Sequence, residues 1–273
     1  MKIGVRAHDF GRHSIEELPK IIKSAGFDCV QLALTKAIKG IDNFSAIEES
    51  HLEHIREHFE RNSLDITVLG CYIEPSISDR ESRLANVAIF QNHLAYAKAL
   101  GVHIVGTETT YMAPNTAEDE REKAYQLLRD SVLRMAETAE KYGVNIGIEP
   151  VADHTLNTPG LTRRLLDDVG SQRLKIIFDP FNMLLPETVG SQEQIYKQMF
   201  DLFKEHIVVM HVKDALILNN EKVWAKIGKG IINYEFIMER IPHINLLREG
   251  VEMDSYKEDL EAIKTIIRRS KWN

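Results

Sequence analysis

The 273-residue sequence predicts an α/β fold, a single (β/α)8 barrel taking in residues 1–273. Three observations carry that expectation. Short β-branched runs alternate with longer segments of helical period eight times over, the pattern of parallel βαβ units. Several helical segments end in glycine just before the next apolar run, as in Ser24-Ala25-Gly26, Ala99-Leu100-Gly101 and Lys141-Tyr142-Gly143. Such a glycine supplies the left-handed cap that a short helix-to-strand connection requires. The turn after the first run reads His8-Asp9-Phe10-Gly11-Arg12, without the GxGxxG phosphate loop of an open dinucleotide-binding sheet.

In chain order the predicted strands are Ile3–Ala7, Cys29–Leu34, Ile66–Cys71, His103–Gly106, Val144–Glu149, Leu174–Asp179, Ile207–Val212 and Ile244–Glu249. The predicted helices are Ile15–Ala25, Glu48–Asn62, Arg80–Leu100, Glu118–Tyr142, Leu161–Val169, Gln192–Glu205, Tyr234–Arg240 and Tyr256–Arg269. From Ala215 to Asn233 the sequence reads as a long loop before a short seventh helix. No Ser/Pro-rich linker or low-complexity tract divides the chain, and barrels of this length are ordinary single units.

Composition narrows the function classes. With 44% hydrophobic and 27% charged residues, the chain resembles an ordinary soluble protein with ample material for one large core. It has 34 basic against 41 acidic residues, a formal charge of −7. An acidic surface repels a phosphate backbone, so nucleic acid is not an expected partner, whereas a small phosphorylated substrate is not excluded. No signal peptide is legible in Met1-Lys2-Ile3-Gly4-Val5-Arg6, and no apolar run approaches the roughly 20 residues that span a bilayer. Cys29 and Cys71 each fall in a strand-like run and are expected to be buried free thiols. The expected location is cytoplasmic.

The last four strands carry the chemistry. They close as Gly147-Ile148-Glu149, Ile177-Phe178-Asp179, Val209-Met210-His211 and Leu247-Arg248-Glu249. The four polar residues follow one another at intervals of roughly one βα unit, so each rises at the same height on the next strand, at the C-terminal rim where barrel active sites lie. Alternation along a strand makes them share a direction with Gly147, Ile177, Val209 and Leu247, whose small or apolar side chains suit a packed interior. Three carboxylates and an imidazole converging there repel one another unless something positive sits between them. One divalent ion resolves this. Its ligands are Glu149, Asp179, His211 and Glu249, and three oxygens with one nitrogen suit Mn²⁺, Mg²⁺, Co²⁺ or Zn²⁺. Pro150 and Pro180 also admit a plainer role for their neighbours as strand stops, and Glu252 lies near enough to replace Glu249.

The chain resembles the xylose-isomerase-like TIM barrel superfamily of sugar phosphate isomerases and epimerases, with ketose 3-epimerases and endonuclease IV among its members. The likeness lies in Gly147-Ile148-Glu149-Pro150, Phe178-Asp179-Pro180-Phe181-Asn182, His211-Val212-Lys213-Asp214, Gly228-Lys229-Gly230 and Glu249-Gly250. It implies one metal ion, commonly Mn²⁺ or Co²⁺, with Mn²⁺ the first expectation, and it casts Glu149 and Glu249 as the acid and base flanking the substrate. Asn182 stands where the epimerases carry a His that acts on the sugar and endonuclease IV carries a zinc ligand. That departure and the acidic charge argue against a DNA-repair enzyme.

The implied function is divalent-metal-dependent isomerisation or epimerisation of a sugar or sugar phosphate, by proton transfer through a metal-stabilised enediolate. Loss of a β-hydroxyl from the same enediolate gives an inosose-type dehydratase. An endonuclease IV-like enzyme and a non-catalytic sugar-binding barrel are the readings from other classes. His8, Glu108, His154, Asn182 and Lys213 are the candidate substrate-binding residues. Lys226 and Lys229 around Gly228 are a candidate phosphate grip, and Trp224 a candidate lid. The expected partner is a small-molecule sugar or sugar phosphate, with no membrane, and the chain is compatible with a homo-oligomer.

Overall fold

The computed structural model describes residues 1–44, 47–250 and 255–270. Eight parallel strands close into the expected barrel, in the order β1-β10-β7-β6-β5-β4-β3-β2. They are β1 (Ile3–Arg6), β2 (Cys29–Leu32), β3 (Asp65–Gly70), β4 (Ile104–Glu108), β5 (Asn145–Glu149), β6 (Leu174–Phe178), β7 (Ile207–Val212) and β10 (Asn245–Arg248). The ring closes where Val5 of β1 lies in register with Arg248 of β10. Around it run α1 (Leu18–Ser24), α2 (Leu34–Ala37), α3 (Glu49–Arg61), α4 (Arg80–Leu100), α5 (Glu118–Tyr142), α6 (Pro159–Val169), α7 (Gln192–Phe203), α8 (Tyr234–Met238) and α9 (Tyr256–Ser270). Most predicted elements are met within a few residues. The fourth strand is the main shift, beginning after the exposed His103 and continuing to Glu108. None of the described helices is long and apolar enough to cross a membrane.

Local chemistry explains the helix ends. Asp79 caps α4 by accepting a hydrogen bond from Ser82 N at 2.9 Å, and Gly101 ends it at φ 70°, a conformation that a side chain would oppose. Glu118, Asp119 and Glu120 open α5, where the helix dipole favours negative charge.

The barrel interior is a packed layer, with Cys29, Val68, Ile104, Ile177, Val209 and Leu247 meeting on the axis. Three of these are the apolar residues expected beneath the rim. Gly147, the fourth, leaves room for Ile177. A Cβ at Gly147 would lie 3.0 Å from Ile177 Cδ1, and one at Gly106 2.8 Å from the same atom. The larger core lies between the barrel and its helices, where Phe27, Phe90, Phe178 and Tyr196 are fully buried. Cys29 and Cys71 are buried free thiols, as expected.

The expected long loop after β7 is instead an antiparallel hairpin, β8 (Asp214–Leu218) with β9 (Glu221–Ala225). Its turn is Asn219-Asn220, at φ 50° and 64°. Two left-handed residues in a two-residue turn match the twist of the flanking strands, and Asn adopts that conformation readily. Lys222 fastens the hairpin, donating to Phe181 O at 2.8 Å and Leu184 O at 2.6 Å.

Asp214 organises the loop that follows. Its carboxylate accepts from Ala215 N, Gly228 N, Gly230 N and Ile232 N at 2.9–3.1 Å. The amides of Gly228 and Gly230, beside the candidate phosphate grip of Lys226 and Lys229, are thereby already satisfied. Lys226 pairs with Glu258 at an exposed surface. Asp214→Ala is expected to strip an anion from four amides and cost about 2–4 kcal/mol of unfolding free energy. Denaturant unfolding measures this, and a cost below about 0.5 kcal/mol would show that water replaces the carboxylate without loss.

Candidate active site

The parallel register carries four polar groups to one end of the barrel. Glu149 ends β5, Asp179 follows β6, His211 lies in β7 and Glu249 follows β10. All four are buried, with exposures of 4%, 0%, 3% and 7%. One donor atom from each of Glu149, Asp179 and His211 lies within 4.8 Å of the other two. His211 Nδ1 is 3.0 Å from Glu149 Oε2, 3.7 Å from Asp179 Oδ2 and 3.8 Å from Glu249 Oε2.

The ring orientation of His211 is set from behind. Gln31 donates from Nε2 to the Tyr72 hydroxyl at 3.0 Å, which leaves Oε1 to accept from His211 Nε2 at 2.9 Å. Nδ1 is therefore the atom presented to the carboxylates. Nδ1 and Asp179 Oδ2 are both buried, and their near neighbours are charged: Glu149 Oε2 for the ring, and the Lys213 ammonium at 2.8 Å for the carboxylate. Burial opposes protonation of His211, but the charges of Glu149, Asp179 and Glu249 outweigh it and lift the imidazole to about 10.

A divalent ion fits this arrangement. It would sit where Glu149, Asp179 and His211 converge, and it would supply positive charge that a protonated imidazole, alongside Lys213, otherwise provides. Removing the outer partner should loosen the ring. Gln31→Ala is expected to weaken Mn²⁺ binding about 10–100-fold while preserving the fold. Calorimetric titration reads this, and unchanged affinity would show that Gln31 does not orient the ring.

Glu249 is held apart from this three-residue cluster. Lys213 Nζ sits 2.6 Å from its Oε2 and 2.8 Å from Asp179 Oδ2, while Arg6 binds its other oxygen. Burial would raise the Glu249 carboxyl, but Lys213, His211 and Arg6 hold it below the usual range. The alternative residue, Glu252, lies outside the described residues.

The candidate substrate residues fall unevenly. Asn182 donates to Glu149 Oε1 at 2.6 Å, and its backbone N–H reaches Asp179 Oδ1 at 2.9 Å, so it braces both. Lys213 lies among the carboxylates. Glu108 ends β4 in register with Glu149. Its burial, together with Glu149 and Glu249, lifts its carboxyl to about 7. His8 faces the edge of Tyr72 at 6.2 Å, and burial beside Arg6 lowers it to about 4. His154 stands further out against Tyr111. Trp224 stacks on Phe181 at 5.0 Å, with Lys213 Nζ 5.1 Å from each ring. The hairpin thus brings an apolar face over the cation.

Arg6, Gln31 and Tyr72 were not singled out from the sequence. Arg6 ends β1 and Gln31 lies one residue before the end of β2, so the strand-end rule that found Glu149 marks their positions, though not the partners that closure gives them.

Fold and site together describe a (β/α)8 barrel with a buried Glu-Asp-His cluster of metal-ligand type at its C-terminal mouth. The chain belongs to the xylose isomerase-like TIM barrel family, whose model matches residues 19–268. A D-psicose 3-epimerase of Agrobacterium fabrum (strain C58 / ATCC 33970) is 24% identical over 181 residues, which cover 63% of this chain. The match spans 59% of that relative's length. Among solved structures, a D-tagatose 3-epimerase-like protein superposes with a TM-score of 0.79, at 18% identity over 99% of this chain and 98% of the other. The 3-keto-D-glucoside 4-epimerase YcjR of E. coli gives 0.77, at 17% identity over 97% and 99%. At such identities these structures speak to the fold.

Proposed function

We propose that the protein is a metal-dependent epimerase or isomerase of a small sugar or sugar phosphate, moving a proton at carbon next to a carbonyl. The observation that carries this is the buried convergence of Glu149, Asp179 and His211, with His211 Nδ1 facing Glu149 Oε2 at 3.0 Å and Glu249 Oε2 at 3.8 Å. Glu149, Asp179, His211 and Glu249 would hold one divalent ion, Mn²⁺ in first place. When bound, the ion supplies Lewis acidity that stabilises the negative charge developing on the substrate's oxygens.

The chain's own groups do the rest. Glu249, ionised between Lys213 and Arg6, is suited to accept a proton. Glu149, steadied by Asn182, is placed to return one from the other side of the reacting carbon. Return to the opposite face inverts the centre, whereas return to the neighbouring carbon exchanges aldose and ketose. Glu108 and His8 contact substrate hydroxyls near the mouth, with His154 further out. Trp224 and Phe181 exclude water from the same space.

The test is a panel of ketoses, aldoses, inososes and their phosphates incubated with the Mn²⁺-loaded protein in D2O. Deuterium entering a carbon next to the carbonyl of at least one sugar is the expected result. No exchange in any member would overturn the proposal.

A further inference from the structure

A second cluster of ligand-type side chains lies away from the barrel mouth. His54 and His58 are four residues apart on α3 and so share one helix face, with ring centroids 4.6 Å apart at 70°. Glu16, just before α1, brings Oε1 to 3.5 Å from His54 Nε2. One donor atom from each residue lies within 4.8 Å of the other two. Glu16 is steadied by a hydrogen bond involving Ser14. Two imidazoles one helical turn apart, joined by a carboxylate from a separate element, form an open three-ligand set.

We propose that Glu16, His54 and His58 form a second metal site, accessible from solvent and selective for a borderline transition ion such as Zn²⁺. Ligands around a tetrahedral zinc stand about 3.3 Å apart, given bonds near 2.0–2.1 Å. Rotations of these half-exposed side chains close the remaining gap without moving the helices. Two nitrogens and one oxygen favour Zn²⁺ or Cu²⁺ over Mg²⁺ or Ca²⁺, which take oxygen ligands. Water completes the coordination. Binding ties the start of α1 to α3. It therefore steadies the segment that leaves β1, which carries Arg6 and His8.

The experiment separates this site from the barrel mouth. His211→Ala disables the mouth cluster, and His54→Ala with His58→Ala disables the outer one. Both outer side chains lie on the helix surface, so their loss leaves the core untouched. Equilibrium dialysis with Zn²⁺ should find one ion retained by His211→Ala and none by the triple variant, with affinity falling on the order of tenfold or more on loss of the imidazoles. Zn²⁺ should raise the Tm of His211→Ala and leave that of the triple variant unchanged. In the Cu²⁺-loaded His211→Ala protein, electron paramagnetic resonance should show coupling to two imidazole nitrogens. Zn²⁺ binding that is the same with and without His54 and His58, or absent from His211→Ala, overturns the proposal. A failure at this site leaves the proposed sugar chemistry standing, because neither outer histidine takes part in it.

Discussion

Glu149→Gln and Glu249→Gln are each expected to lower kcat by about 10²–10⁴-fold at saturating metal, with a much smaller change in KM. Gln keeps the shape and one oxygen donor but cannot accept a proton at neutral pH. The two variants should differ in kind. Only one carboxylate begins the reaction in a given direction, so one variant should still exchange the reactive hydrogen with D2O while the other should not. Glu249 is the stronger candidate for the initiating base, since Arg6 and Lys213 keep it ionised. Its replacement also removes a charge from the buried Lys213 and the half-buried Arg6, so unfolding must be followed alongside turnover. Near-normal kcat in either variant would mean that another group moves the proton. Glu108, lifted to about 7, would then be the first to replace.

Asp179→Asn and His211→Ala are expected to weaken Mn²⁺ binding by about a hundredfold or more, leaving the barrel largely intact. Each removes one of the three buried ligand-type side chains that converge at the mouth. Asp179→Asn also takes a charge from Lys213, but that ammonium retains Glu249 at 2.6 Å. The fold is spared because these residues sit above the axial layer of Ile177, Val209 and Leu247. Calorimetric titration reads the affinity and circular dichroism the fold. Unchanged affinity in both would exclude the pair from the metal's ligands.

The barrel and the strand-end placement of the four polar residues were legible because strand alternation and helix caps are local properties. A polar residue closing a β-branched run is placed by the strand itself, whatever lies around it. Partners contributed by distant parts of the chain were not legible in the same way. Lys213 reads as a candidate for a substrate oxygen or phosphate, yet the packing of β6, β7 and β10 sets it between two carboxylates. Gln31 acquires its role only because closure brings β2 within reach of His211, 180 residues away. The hairpin is a different case, since Asn219-Asn220 between two β-prone runs is a local turn signal. Its charged positions, Glu221 and Lys222, mask the second run by breaking its apolar pattern.

The axial glycines make the size of one residue the limit on another. Ile177 fills space beside both Gly106 and Gly147, and it lies two positions before Asp179, which follows the same strand. A methyl added at 106 meets Val68 as well as that isoleucine, and one at 147 meets Ile104 as well, so the shared isoleucine is pressed in either case and its displacement passes along β6 toward a proposed ligand. Substitutions here are therefore tolerated as linked sets. Bulk gained at 147 calls for bulk lost at 177, and natural or selected variants that alter one without the other should be rare among active proteins.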